Sequence, residues 1–335
     1  MKRPRSTRRL CVRWTATLSV VVAMFGVAGC GLLNGSTERQ DAQVLQNGVV
    51  RIGILATVDN APVKIAENRG FFRNHGLGVE VKIFRSGPEA LTEVASGNLD
   101  ICLINYVSFF SAIAKSTVDG RVIADAYQAT PDSLVLMTRA GAGIEQAGDL
   151  LGKKISVHAP GNINELLVRA LLAGRGLDPA KPIYLPIAFP NIQAALDKGE
   201  IDAGVMVEPY ITQAERQIGA VPAFRLAVDA TADMPLSGYV ASTSFTKDNP
   251  DKVAAFQRGI REANDLANND RASLAEVLPD LAKVPAADVA LLSLAHFPTS
   301  VDPTRLQRVL DLMTEYGGLT ASLKAADLVV AMPGE

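Results

Sequence analysis

Five asparagines and two acids stand where apolar, strand-like runs give way to loops: Asn60, Asn105, Asn162, Asn164 and Asn191, with Asp59 and Glu208. A carboxamide both donates and accepts, so such a set orients a polar solute without reacting with it. Thr57, Ser86, Gly87 and Gly161 fill the same loops with hydroxyls and open backbone. Tyr106 and Tyr127, with Tyr210 and Tyr239, supply flat walls. A single asparagine in such a place also serves as a helix cap or an Asx turn. Recurrence at equivalent loops of two similar stretches is what favours binding. Asp59 is expected to meet an amino group or to cap the next helix. Glu208 is expected to face a ligand or to bond across a hinge, because acids are seldom buried without a partner.

Catalysis has little to work with. The three histidines, His75, His158 and His296, are scattered, with no pair at i, i+4 spacing. The three cysteines are Cys11, Cys30 and Cys102, and Cys102 reads as a small core residue in a strand. No Ser/His/Asp or Cys/His constellation can be assembled. No catalytic residue, metal site or cofactor is expected. Arg85 is the cation nearest the loops, and His158 follows a strand and could face them.

The elements that must position these residues occur twice, about one hundred residues apart. In the first copy, the strand 49–54 leads into the loop 56–60 and a helix ended by Gly70. A second strand, 79–84, the turn Ser86-Gly87-Pro88 and another helix follow. Gly97-Asn98-Leu99-Asp100 then opens the strand 101–104. The second copy runs 154–157, 158–162, a helix closed by Gly174 and Gly176, the strand 183–187 and the turn 189–191. Gly199-Glu200-Ile201-Asp202 then opens the strand 203–207. Helices between apolar strands predict parallel β-α-β units. Two in tandem predict two lobes, residues 48–138 with 239–335 and residues 139–238, joined by strands near 133–137 and 240–242. Ligands in such sheets bind beyond the carboxyl ends of the strands, so the two rims would face each other across a closing cleft.

The N-terminus reads as an export signal over residues 1–29. Lys2, Arg3, Arg5, Arg8, Arg9 and Arg13 precede an apolar run from Trp14 to Val27 that is short for a membrane span. Val27-Ala28-Gly29-Cys30 resembles a bacterial lipobox, and Thr7-Arg8-Arg9-Leu10 a twin-arginine signal. Cys30 is therefore expected to carry lipid, with residues 30–47 as a tether. Loss of six basic residues and no acid takes the formal charge from −2 to −8. That balance argues against nucleic acid and against electrostatic docking on anionic lipid.

Ala66-Glu67-Asn68-Arg69-Gly70-Phe71-Phe72, Gly76-Leu77-Gly78-Val79-Glu80 and Ala95-Ser96-Gly97-Asn98-Leu99-Asp100 are similar to importer solute-binding proteins. The branch is that of sulfonates, taurine, nitrate and thiamine-precursor pyrimidines. Glu208-Pro209 is also typical there, and the resemblance covers about residues 48–260. It implies an α/β, type II periplasmic-binding-protein-like fold, with two βα lobes on a two-strand hinge. It also implies a lipid-anchored monomer on the outer face of the cell membrane, serving an ABC permease and its ATPase. Several sulfonate binders hold the anion with an arginine in the cleft, and no such arginine is placed here. A neutral or amine-bearing solute suits Asp59 and Glu208 as well. Enzymes on the same fold, pyrimidine synthases and a chorismate dehydratase, and sensory receptor lipoproteins are the alternatives.

Overall fold

The computed structural model describes residues 48–332 of the 335-residue chain. The expected signal, Cys30 and the tether lie outside the described residues. Among the described residues ten strands are formed: β1 (Val49–Ile54), β2 (Gly78–Ile83), β3 (Ile101–Asn105), β4 (Gly120–Gln128), β5 (Val135–Arg139), β6 (Lys154–Val157), β7 (Ile183–Pro186), β8 (Ala203–Met206), β9 (Ala220–Arg225) and β10 (Pro235–Ser242). They make two five-stranded sheets, ordered β2-β1-β3-β10-β4 and β7-β6-β8-β5-β9. In each sheet three strands run parallel, and an antiparallel fourth joins them to the edge strand. The duplication read from the sequence is therefore a duplication of sheet topology.

The crossings between sheets differ from the expected ones. Residues 135–138, assigned above to the first lobe, pair with β8 of the second sheet, from Val135↔Met206 to Thr138↔Ala203. Residues 235–238, assigned to the second lobe, pair with β3 and β4 of the first. Either strand is an apolar run that would be buried in any sheet, so nothing in its composition says which one it enters. The chain changes sheet within residues 129–134 and 226–234. Hydroxyl turns shape both: Ser133 Oγ donates to the Thr130 carbonyl at 2.8 Å, and Thr231 Oγ1 donates to the Leu226 carbonyl at 2.7 Å.

Alternation along β5 shows how the sheets are buried. Val135 and Met137 pack with Ile192, Leu196 and Met206 on one face, while Leu134 and Leu136 belong to the main core. Cys102 is fully buried mid-strand in that core, as expected. The C-terminal half returns to the first sheet. The helix Pro250–Asn269 lies against the helix Ala61–Arg69, and Phe256 stacks on Phe72 with centroids 5.4 Å apart. No helix among the described residues is long and apolar enough to cross a membrane.

Gly238 of β10 permits one close approach. A Cβ there would lie 2.1 Å from the Tyr106 hydroxyl, which donates to Asp125 Oδ1 at 2.7 Å. Gly238→Ala is expected to cost about 1–3 kcal/mol by overpacking. An unchanged urea midpoint would contradict that close packing.

Candidate functional site

The strand tips of the two sheets line a partly open cavity whose free space, counted with the solvent it opens onto, is about 680 Å³. The first half contributes Thr57 and Asp59 after β1, Gly87 after β2, Asn105 at the end of β3, and Tyr127 on β4. The second contributes His158 after β6, Asn162 capping the helix Ile163–Ala173 and Asn164 in its first turn, Phe189 after β7, and Glu208 after β8. Ser133 and Leu134 of one crossing, with Leu236 and Ser237 following the other, complete the lining. Eight expected positions thus come together: Thr57, Asp59, Gly87, Asn105, Tyr127, Asn162, Asn164 and Glu208.

Six others are placed elsewhere. Asn60 is fully buried behind the first loop; its Oδ1 accepts from Leu55 N at 3.0 Å, and its Nδ2 donates to Thr57 Oγ1 at 2.9 Å and Asp59 Oδ1 at 2.8 Å. It shapes the loop instead of lining the cavity. Ser86 caps the helix Gly87–Ala95, accepting from Glu89 N at 3.3 Å. Tyr106 is buried in the first core with its hydroxyl on Asp125, and Tyr239 beside it packs edge-on to Phe256. Gly161 and Asn191 are exposed. Strand-tip position marks a loop, but it does not say which residue of that loop turns inward.

Asp59 is held by three side chains. Its Oδ1 accepts from Thr57 Oγ1 at 2.5 Å and from Asn60, and its Oδ2 accepts from Ser237 Oγ at 3.0 Å. Desolvation pushes its carboxyl above the usual range, against those hydrogen bonds. Glu208 is likewise committed. Its Oε1 accepts from Thr212 Oγ1 at 2.8 Å and from Ser293 N at 3.0 Å, and its Oε2 from Thr212 N at 3.2 Å. Burial raises this carboxyl too. Ser293 follows the 3-10 helix Ala286–Leu291, and Asp288 in that helix pairs with Arg216 of the helix Tyr210–Ile218 at 2.5 Å. Glu208 thus lines the cavity and at the same time bonds Ser293 of the C-terminal stretch. Glu208→Ala is expected to leave Thr212 and Ser293 unpaired and to cost about 1–3 kcal/mol in urea unfolding. A cost below a few tenths would mean that the bond across the halves contributes nothing.

The sequence-based set omitted Phe189, Ser133 and Ser237, and named His158 only as able to face the loops. His158 and Phe189 stack nearly parallel, with centroids 4.3 Å apart and planes 9° apart, and Phe189 stacks on Tyr210 at 5.8 Å. The Tyr210 hydroxyl donates to the Ala56 carbonyl of the facing half at 3.3 Å, so the aromatic column reaches across the cleft. Neither nitrogen of His158 has a hydrogen-bond partner in the protein, and desolvation pulls its pKa down to about 4. The Asn164 amide nitrogen, also buried, has none either. His158 occupies the strand-tip position equivalent to Leu55, the signal by which it could be expected to face the loops. Ser133 and Ser237 carry no such mark, because their places depend on where the crossings fall.

A family model described as the NMT1-like family matches residues 45–279. The chain belongs to the NMT1-like family. The curated protein "Putative binding protein YtlA" of Bacillus subtilis (strain 168) is 25% identical over 260 residues, 77% of this chain and 74% of that one. The 4-amino-5-hydroxymethyl-2-methylpyrimidine phosphate synthase of Schizosaccharomyces pombe is 26% identical over 223 residues, 62% of each chain. The alkanesulfonate-binding protein SsuA of Xanthomonas axonopodis pv. citri, solved with MOPS bound, superposes with a TM-score of 0.72 at 18% identity, over 84% of this chain and 98% of that one. The NMT1-like chain thus has the expected periplasmic-binding-protein fold.

Proposed function

We propose that this NMT1-like protein is the extracytoplasmic solute-binding component of an ABC importer. It captures a small polar organic molecule between its halves and delivers it to a permease and ATPase. The observation that carries this reading is the cavity lined from both sheets at their strand tips, with crossings at its floor and hydrogen bonds between the halves at its rim. A solute touching both rims in the closed state would drive closure by that differential contact. The relatives whose names describe binding proteins support the same role. Export, lipid attachment at Cys30 and monomeric action complete the proposal.

The test is a thermal-shift screen of the full chain in detergent against sulfonates, nitrate, pyrimidines, flavins and amines. A binder at 100 times its Kd adds ~2.7 kcal/mol of stability. No shift with any member of these classes would overturn the reading. The synthase among the relatives supplies a second reading, on which an incubated pyrimidine precursor would be converted instead of returned unchanged.

A further inference from the structure

We infer that His158 and Asn164 are the specificity-determining residues of the cleft, selecting an uncharged planar solute and rejecting anions. This deepens the importer reading and rests on it.

The case against an anion has three parts. No lysine or arginine lines the cavity, whereas two carboxylates, the half-buried Asp59 and the buried Glu208, do. Helix N-termini normally offer free N–H groups to anions. Here a side chain already takes one such group at each of three helices. Ser108 N donates to Asn105 Oδ1 at 2.9 Å, Asn164 N to Asn162 Oδ1 at 3.1 Å, and Glu89 N to Ser86 Oγ at 3.3 Å. The remaining polar edge is an imidazole, which burial keeps neutral at ordinary pH.

The case for a planar, uncharged solute rests on the groups left uncommitted. A neutral imidazole has one donor and one acceptor nitrogen, and a carboxamide nitrogen is a pure donor. Neither His158 nitrogen and not the Asn164 nitrogen is used within the protein. Left unpaired in a closed cleft, each costs free energy that a matching ligand atom recovers. The matching solute carries an acceptor for Asn164 and a donor or an acceptor for whichever imidazole nitrogen it meets, as a lactam or aminoazine does. Stacking on Phe189 fixes the imidazole plane, so the edge is held in place before the solute arrives. The cavity is otherwise mostly apolar where a ring would lie, with Leu55, Val58, Leu134 and Ile163 on its walls.

The experiment measures binding to the full chain in detergent by calorimetry, with cytosine and nicotinamide as neutral planar probes and ethanesulfonate and nitrate as anions. The expected result is binding of at least one neutral probe and of neither anion. His158→Phe and Asn164→Leu should each weaken the neutral probe at least tenfold, and His158→Gln, which keeps a donor and an acceptor, should lose less than His158→Phe. Unchanged circular dichroism and thermal midpoints keep the variants interpretable. Anion binding that His158→Phe leaves unaltered overturns the inference while solute capture stands. Failure of all four probes overturns the inference, and the importer reading then falls or stands on the wider screen.

Discussion

Asp125→Asn should abolish a loss of stability that the native protein suffers between pH about 4 and 7. Asp125 is 3% exposed; Oδ1 accepts from Tyr106 at 2.7 Å, Oδ2 has no hydrogen-bond partner, and the nearest cation, Arg305 Nη1, is 3.9 Å away. Desolvation, only partly offset by Tyr106 and Arg305, pushes its carboxyl from 3.8 up to about 7. In that window the folded state holds a proton that the unfolded chain has released. Stability therefore falls as pH rises through it, by about 4 kcal/mol for a shift of this size. The asparagine carries no charge and keeps the acceptor for Tyr106. Urea unfolding of both proteins at pH 4, 5.5, 7 and 8 reads the effect as a widening gap in favour of the variant. Parallel profiles would mean that Asp125 is ionised at no cost.

His158 contributes the opposite slope. Desolvation pulls its pKa from the ordinary 6.5 down to about 4. Between those values the unfolded chain binds the proton and the folded one does not, so stability rises with pH, by about 3 kcal/mol in all. His158→Phe should remove that rise and make the variant relatively more acid-resistant than the native protein. Asp59 and Glu208 line the same cavity with raised pKa values, so their slopes have the sign of Asp125. The native profile therefore sums opposing slopes, and the comparison must be made between proteins at each pH. If His158→Phe and the native protein lose stability equally on acidification from pH 6.5 to 4, the ring is not held neutral.

These two residues also mark the limit of what could be read in advance. Local pattern was enough for the repeated β-α-β order, because the glycines closing the helices at Gly97 and Gly199 and the apolar runs after them are short-range signals. The same pattern, with the family resemblance, located the rims that carry Asp59, Asn105, Asn162 and Glu208. The sheet each hinge strand enters was not legible. Val135–Arg139 and Pro235–Ser242 are apolar enough for either, and pairing between residues distant in sequence decides. Inward and outward positions within one loop were not legible either. Asn60 and Asp59 are neighbours, yet one props the loop and the other lines the cavity, because backbone direction there is set by the contacts of the folded chain. The sequence by itself determined the doubled fold and where its polar loops lie. Tertiary structure alone decided that Glu208 binds the facing half and that His158 meets the cavity with both nitrogens uncommitted, since hydrogen-bond partners and desolvation exist only once the two halves meet.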